Sequence, residues 1–304
     1  MRRSGSRAGV SGATVQSTWI FHRGALGDSV LLWPLMRALV RRRGAVTLVS
    51  DLSKAKLAEQ ALGVRAVSAE HRRFSDLWLT GAAEEPGRIL PVGGVARVIS
   101  FLSVQGKDKT WSANVQRMFP GAKVELIDRH LTRELALELA RREGVDHDPA
   151  PVRAAQRSPL VVHLGAGSSA KRWPLYHWAA LIERLRGEHP GANVRVLAGE
   201  VEAEQYTREQ TALFDRLGGE FLSDLPQLRE ALASACGVVV ADSGPAHLAA
   251  QLGVPVLALF GPTVPALWAP IGPRVQVIAP ATPSAMDWLD VDRVWADLVP
   301  MLPR

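Results

Sequence analysis

The sequence predicts an α/β fold of two Rossmann-like, doubly wound domains that face each other across a cleft. Strand and helix patterns alternate through both halves of the chain, which is typical of parallel sheets covered by helices. Residues 237–263 have the pattern of a complete βαβ unit, and residues 146–159 form a linker rich in Pro, Ala and charge. The expected division is a disordered tail over 1–18, an N-terminal domain over 19–157 and a C-terminal domain over 158–304, whose last helix can pack back on the N-terminal domain.

The composition is that of an ordinary soluble globular protein. The chain has 304 residues, of which 47% are hydrophobic and 22% charged, enough for two domains of about 150 residues. The 36 basic residues outnumber the 30 acidic ones, which suits an anionic ligand but also a solvated surface. No nucleic-acid-binding module is present, so we expect no nucleic-acid partner. The single Cys236 fits a reducing, cytoplasmic location, and no apolar run reaches the roughly 18 residues of a membrane span, so membrane contact would be peripheral, at the inner face of the cytoplasmic membrane.

The first predicted strand begins at Trp19 and leads into a glycine turn and a helix. Pro34 interrupts this helix and is expected to kink it. Asp28 stands on the turn, where two explanations are open. A carboxylate there favours the positive end of the helix dipole, and it also has the position of a general base on a loop at the edge of a sheet.

The rest of the N-terminal half is predicted from shorter patterns. The expected strands are 45–50, 65–67, 76–79 and 96–101, and the expected helices are 53–62 and 132–142. Residues 105–119 carry basic residues and Trp111 among polar ones, and a loop lining a cleft is the expectation there.

A glycine-rich turn opens the second half. Residues 160–164 are a predicted strand, residues 165–174 the turn, and residues 175–186 an amphipathic helix. Gly165-Ala-Gly-Ser-Ser-Ala formally matches a dinucleotide fingerprint, but the helix begins too late, and the acid after the next strand, Glu200, lies well beyond the required spacing of about 20 residues. Lys171 also lacks the flanking residues of a Walker loop. The turn is therefore predicted to deliver Lys171 and Arg172 to the sheet edge.

The strand predicted over residues 193–198 ends at Gly199 and is followed by several acids. Each acid can cap the helix expected over 202–217, or bind ribose hydroxyls as acids at this strand end often do. A further helix is expected over 225–235, and the last helix is expected to begin after a cap at Asp290.

The βαβ unit carries the clearest candidate for an anion site. The runs 238–240 and 254–260 are expected to be central parallel strands, and Asp242 ends the first of them. Ser243 can cap the following helix, and Gly244 permits close backbone approach. Free amides at the helix start, with His247 in the first turn, would attract a phosphate. The alternative is that Asp242 and Ser243 only cap the helix and His247 packs beneath it.

These motifs together resemble glycosyltransferase family 9, the family of ADP-heptose:lipopolysaccharide heptosyltransferases. The resemblance lies in Gly24-Ala-Leu-Gly-Asp-Ser-Val-Leu-Leu-Trp-Pro, in Gly165-Ala-Gly followed three residues later by Lys-Arg-Trp-Pro, in Asp242-Ser-Gly-Pro-Ala-His-Leu-Ala-Ala, and in Leu259-Phe-Gly-Pro-Thr. It spans nearly the whole chain in the right order. The chain is shorter than typical members, mainly in the N-terminal half.

The resemblance implies a GT-B architecture and an inverting, metal-independent transfer that needs no cofactor. Asp28 would match the general base, and Lys171 would stabilise the departing diphosphate. The rest of the implied site lies in the C-terminal half, with a few further loop candidates. The diphosphate turn would comprise Asp242, Ser243, Gly244 and His247, the nucleoside site Gly199 and Glu202, and the other loop candidates are Gly27, Arg172 and Thr263.

The expected partners are a nucleotide-sugar donor, with ADP as the nucleotide, and a lipopolysaccharide-type or other anionic or lipid-linked glycan acceptor. Two other functions suit the same fold. One is a nucleotide-sugar epimerase or hydrolase, although a base on the Asp28 turn is not needed for that reaction. The other is a non-catalytic nucleotide-sugar-binding protein.

Overall fold

The computed structural model describes residues 17–42, 44–90, 92–102, 109–127, 130–145 and 159–302. These residues form two parallel β-sheets, one from each half of the chain. The linker expected over 146–159 lies almost wholly outside the described residues, and so does the tail as far as residue 16. The first strand begins at Ser17, slightly earlier than expected.

The first sheet has five strands in the order β3-β2-β1-β4-β5, all parallel. Its strands are β1 (Ser17–Phe21), β2 (Ala45–Ser50), β3 (Arg65–Ser68), β4 (Val95–Ser100) and β5 (Lys123–Leu126). The helices of this half are α1 (Leu26–Leu31), α2 (Trp33–Arg41), α3 (Leu52–Leu62), α4 (Lys109–Met118) and α5 (Arg133–Arg142).

The second sheet has six parallel strands in the order β11-β10-β9-β6-β7-β8. Its strands are β6 (Leu160–His163), β7 (Val194–Gly199), β8 (Gly219–Leu222), β9 (Gly237–Ala241), β10 (Val256–Leu259) and β11 (Val275–Ile278). The helices are α6 (Leu175–Glu188), α7 (Glu200–Gln205), α8 (Arg208–Arg216), α9 (Leu225–Ala233), α10 (Gly244–Gln251), α11 (Pro265–Trp268) and α12 (Val291–Leu298).

The strand orders place the predicted loops at the reversal points of both sheets. In the first sheet the order reverses at β1, whose C-terminal end leads to α1. In the second it reverses between β6 and β9, whose ends lead to the Gly165 turn and to α10. Open α/β sheets bind ligands in the crevice beyond such strand ends. The prediction that β9 and β10 are central parallel strands is confirmed.

A shared hydrophobic core joins the two halves. Because successive strand residues face opposite sides, Val238 and Val240 contribute to this shared core, whereas Val239 lies in the outer core of the second sheet. Ile20 and Leu35 bring the first half into the same core. The two sheets are therefore packed together through the helices between them.

Several local predictions are corrected by the structure. Residues 72–78 form a 3-10 helix instead of the strand expected over 76–79, because Phe74 and Leu77, three residues apart, are buried together. The loop expected over 105–119 contains α4, which buries Trp111, and residues 103–108 are outside the described part. Pro34 does not kink a single helix but stands in the first turn of α2, after a break at Leu32.

Two helix predictions in the C-terminal half also change. The helix expected over 202–217 is split into α7 and α8, because Tyr206 is extended and Thr207 caps the second helix. Asp290 caps α12 as predicted, accepting a hydrogen bond from the Arg293 amide at 2.7 Å. This helix packs against α6 in the outer core of the C-terminal half, whereas the sequence analysis allowed it to return to the N-terminal half.

Candidate functional site

Asp28 lies in the first turn of α1, directly after the turn that follows β1. Its Oδ2 accepts a hydrogen bond from the Ala25 amide at 3.1 Å, so the carboxylate does cap its own helix. Burial raises the pKa of Asp28 above its usual value, and the bond from Ala25 together with the charges of Lys171 and Lys54 opposes that shift. The two explanations offered by the sequence are therefore compatible, since a capping carboxylate with a raised pKa can also accept a proton.

Two residues that the sequence analysis missed support the loop before Asp28. Lys54 of α3 donates a hydrogen bond to the Gly24 carbonyl oxygen, and its Nζ lies 2.6 Å from Asp51 Oδ2. Asp51 follows β2, the neighbour of β1 in the sheet. The position of Asp51 at the end of a predicted strand could have identified it as a candidate. Its closeness to the Asp28 turn, however, depends on β2 lying beside β1, and the sequence alone did not predict that strand order.

In the C-terminal half, three loops converge on Asp242, which is buried. The Nζ of Lys171, from the turn after β6, lies 2.7 Å from Asp242 Oδ2. The Thr263 hydroxyl, from the loop after β10, donates to the same oxygen at 2.7 Å. The prediction that Ser243 caps α10 is wrong in one respect. Ser243 occupies the N-cap position, but its hydroxyl donates to the Ala241 carbonyl oxygen at 3.0 Å instead of accepting from the helix.

His247 stands inside the first turn of α10 and is also buried. Burial lowers the pKa of His247 to about 4, the charge of Lys171 acts in the same direction, and that of Asp242 opposes it. Its Nδ1 has no hydrogen-bond partner among the described residues. At neutral pH this imidazole is therefore uncharged, and it can offer a hydrogen bond but not a positive charge.

The two halves meet between α1 and α10. A Cβ added at Gly27 would lie 3.1 Å from His247 Cδ2, and one added at Gly244 would lie 2.7 Å from Leu26 Cβ. Each glycine thus provides the room for a side chain of the opposite helix. This contact brings the Asp28 turn next to the turn that holds Asp242 and His247, and Lys171 is paired with Asp242.

The opposite end of α10 is also held by the N-terminal half. Arg37 of α2 donates from Nη1 to Gln251 Oε1 at 2.6 Å and from Nη2 to the Gln251 carbonyl oxygen at 2.8 Å. Gln251 in turn donates to the Ile271 carbonyl oxygen at 2.7 Å. Burial lowers the pKa of Arg37 to about 10, which leaves the guanidinium charged at neutral pH. A charged donor is well placed at the C-terminal end of a helix.

The predicted nucleoside residues lie further along the same sheet edge. Glu202 is buried, and its carboxylate accepts hydrogen bonds from the Gly199 and Ala166 amides, both at 3.3 Å. Arg172 Nε lies 3.1 Å from Glu202 Oε1, and its Nη2 donates to Gln205 at 2.7 Å. Glu202 therefore caps α7 and ties it to the Gly165 turn, and nothing in these contacts tests a role with ribose.

No group of three or more His, Cys, Asp or Glu side chains in the described ranges is arranged to hold a metal ion. No helix in those ranges is long and apolar enough to cross a membrane.

The sequence is similar to that of known glycosyltransferases. The pattern of the family described as "Glycosyltransferase family 9 (heptosyltransferase)" matches residues 90–290. The chain is 36% identical over 117 residues to lipopolysaccharide heptosyltransferase 2 of Salmonella typhimurium, covering 36% of this chain and 32% of that protein. It is 36% identical over 146 residues to lipopolysaccharide heptosyltransferase 1 of Pseudomonas aeruginosa, covering 46% and 37%. The chain thus spans about a third of the length of the curated relatives it matches.

Solved structures extend the comparison to the fold of almost the whole chain. The Escherichia coli heptosyltransferase WaaC with ADP aligns with a TM-score of 0.66 at 18% identity, covering 94% of this chain and all of that one. The glycosyl transferase family 9 structure from Veillonella parvula aligns with a TM-score of 0.67 at 16% identity, covering 94% and 97%. These alignments show that the two sheets form the GT-B fold. Because the family pattern extends over well over half of the sequence, the chain belongs to glycosyltransferase family 9.

Proposed function

We propose that this protein is an inverting glycosyltransferase that moves a heptose or a related sugar from an ADP-linked donor to a lipopolysaccharide-type glycan acceptor. The observation that carries the proposal is the contact of α1 with α10, which places the half-buried Asp28 beside Lys171 and His247 in a chain of family 9. The names of the similar proteins support the choice of substrates, since they are lipopolysaccharide heptosyltransferases and one solved structure contains ADP.

In the proposed reaction, Asp28 is the general base. Its carboxylate takes the proton of an acceptor hydroxyl, and the hydroxyl oxygen forms a bond to the anomeric carbon of the donor sugar. The bond from that carbon to the diphosphate oxygen breaks on the opposite face, and its electron pair remains on the diphosphate. A pKa raised by burial suits a group that must accept a proton near neutral pH.

The C-terminal half would hold the diphosphate. Lys171 offers a positive charge, and α10 directs the amides of its first turn at the same place. Lys171 is already paired with Asp242 at 2.7 Å, so Asp242 positions the ammonium group through which the phosphate would be bound. Thr263 holds Asp242 in turn. We propose that this arrangement stabilises the leaving group without a metal ion.

The other proposed roles are divided between the two halves of the chain. The N-terminal half, over residues 19–157, would bind the acceptor, and the C-terminal half, over residues 158–304, would bind the donor. We place the nucleoside near Gly199, with Glu202 as its ribose contact. Binding of ribose by Glu202 would require its carboxylate to share the hydrogen bonds it now accepts from Gly199 and Ala166. We propose a cytoplasmic protein that meets a lipid-linked acceptor at the inner face of the membrane.

The substitution Asp28→Asn tests the proposal. With ADP-heptose as donor and truncated lipopolysaccharides that carry no heptose or a single heptose as acceptors, we expect turnover to fall by about 10²- to 10⁴-fold, since the proton acceptor is lost. The affinity for ADP, measured by calorimetry, should change by no more than about twofold. Asp76→Asn is the matched control, because Asp76 is a carboxylate of the same half that pairs with Arg88 at 3.2 Å.

Each outcome separates the candidate functions. Unchanged turnover in Asp28→Asn would remove Asp28 from the mechanism. Release of free sugar and ADP at the same rate with and without acceptor would indicate a hydrolase. ADP binding with no turnover of the donor under any condition would indicate a non-catalytic nucleotide-sugar-binding protein.

A further inference from the structure

Gly24 occupies a position where the backbone does not require glycine. Its φ lies outside the left-handed region, so other residues could adopt the same conformation. A Cβ at this position would, however, lie 2.9 Å from His22 Cε1, 3.1 Å from His22 Nε2 and 3.0 Å from Asp28 Oδ2. The absence of a side chain at Gly24 therefore lets the imidazole of His22 and the carboxylate of Asp28 pack against the same point of the backbone. Gly24 is partly exposed, so this point is not sealed inside the protein.

His22 is a buried polar side chain without the partners that such groups usually have. Only 4% of the residue is exposed, and its Nδ1 has no hydrogen-bond partner in the part of the chain that the structure describes. Its ring meets Phe101 edge to face, with the ring centroids 5.9 Å apart. The edge of the ring that faces Gly24 and Asp28 is Cε1–Nε2, so Nε2 and not Nδ1 is the nitrogen on the side of Asp28.

Electrostatics keep this imidazole neutral. Burial, with the charge of Lys54 acting in the same direction and that of Asp51 opposing it, lowers the pKa of His22 to about 4. A neutral imidazole has one nitrogen that donates and one that accepts. His22 is thus suited to orienting a hydroxyl group through its N–H, while Asp28, an anionic carboxylate whose pKa is raised by burial, is suited to accepting the proton.

The loop that carries Gly24 is held by a side chain of α3. Lys54 donates to the Gly24 carbonyl oxygen and pairs with Asp51. The peptide between the two functional side chains is therefore held in place. A site for a reacting group needs this kind of support to keep its geometry.

We propose that the attacking hydroxyl of the acceptor is bound between the Cε1–Nε2 edge of His22 and the Asp28 carboxylate, beside Gly24, and that His22 is a second residue in contact with it. Nε2–H of His22 donates a hydrogen bond to the hydroxyl oxygen, and the hydroxyl donates its proton to Asp28. The second lone pair of the oxygen is left to form the bond to the anomeric carbon. This inference rests on the proposed transferase function, which it extends by naming where the nucleophile lies.

The experiment compares three variants with ADP-heptose and the same truncated lipopolysaccharides. In His22→Ala, kcat/KM for the acceptor should fall by about tenfold or more through the loss of one hydrogen bond, with ADP affinity kept within about twofold. His22→Gln, whose amide N–H can replace Nε2–H, should regain part of this loss. In Gly24→Ala the activity should fall at least as far, because the new Cβ would lie 2.9 Å from His22 Cε1 and 3.0 Å from Asp28 Oδ2 and would push the two side chains apart. Gly93→Ala is the matched control, since a Cβ there meets nothing within 4 Å and its φ is also outside the left-handed region.

The outcomes distinguish this inference from the function on which it rests. If His22→Ala and Gly24→Ala bind ADP normally and keep the acceptor kcat/KM while Asp28→Asn is inactive, the role of His22 is refuted and the transferase remains. If Asp28→Asn is fully active, both are refuted. If His22→Ala fails to fold and therefore no longer binds ADP, the test depends on His22→Gln and Gly24→Ala. The inference is refuted if both of these variants have the same kcat/KM for the acceptor as the unchanged protein.

Discussion

Replacing Lys171 by methionine tests the proposed diphosphate site with two independent measurements. The substitution keeps most of the side-chain length and removes the charge that lies 2.7 Å from Asp242 Oδ2. Only 6% of the Asp242 side chain is exposed, whereas 29% of the Lys171 side chain is. The pair is therefore intermediate between a buried and a surface ion pair.

The expected loss of stability follows from the partial burial of the Lys171–Asp242 pair. Removing one partner of a fully buried pair costs about 3–5 kcal/mol, and a surface pair contributes about 0–1 kcal/mol. Thr263 would still donate to Asp242 at 2.7 Å in the variant. We expect Lys171→Met to lower the free energy of unfolding by about 1–3 kcal/mol, measured by urea denaturation.

The expected loss of ADP affinity is separate. A hydrogen bond from a charged donor contributes about 1.5–3 kcal/mol, but Lys171 must share its charge between Asp242 and the phosphates. We therefore expect the dissociation constant for ADP, measured by calorimetry, to rise by about tenfold, which corresponds to the lower end of that range.

The matched control is Lys56→Met, which removes an exposed pair with Glu59 of similar length, 2.6 Å. It should leave the ADP affinity unchanged. If Lys171→Met binds ADP as tightly as the unchanged protein, Lys171 does not contact the diphosphate and the proposed phosphate site is refuted, whatever happens to stability.

Two further predictions concern packing and pH. Gly244→Ala should lower the free energy of unfolding, measured by urea denaturation, by about 1–3 kcal/mol. The reason is overpacking, because its Cβ would lie 2.7 Å from Leu26 Cβ. Gly187→Ala in α6 is the control and should show no such loss, because a Cβ there meets nothing within 4 Å. Burial lowers the pKa of His163 from 6.5 to about 4, so the unfolded chain binds more protons between these values and stability falls as the pH drops through this window, by about 2 kcal/mol near pH 5 for this residue. His163→Gln should make the loss of stability between about pH 7 and pH 5 correspondingly smaller, and an equal loss in both proteins would contradict this account.

The βαβ unit of the C-terminal half was the most predictable part of the fold. The apolar run around Val239 and the helix signal at Pro245 fix the order of strand, turn and helix from local sequence alone. Strands β5, β8 and β11 were not predicted. They have four residues each and lie near or at sheet edges, where half-exposed sequences such as Lys123–Leu126 are strands because of pairing with a neighbour.

The sequence predicted which turns carry the candidate site residues, but it did not predict the contacts between those residues. Asp28, Lys171 and His247 were all identified from their positions after strands, and the structure brings their turns together. The pairing of Lys171 with Asp242, and the support from Lys54, depend on strand order and on how the halves pack. Such long-range contacts leave no periodic signal in one sequence.

The attachment of α10 at both of its ends has a consequence for chimeras of family 9 proteins. Its first turn fits against Gly27, and its last residue, Gln251, receives two hydrogen bonds from Arg37. A hybrid that joins the N-terminal half of one member to the C-terminal half of another would inherit an α10 shaped for a different neighbour. Grafting Gly27 and Arg37 together with their α10 partners is therefore the exchange expected to keep the two halves in register.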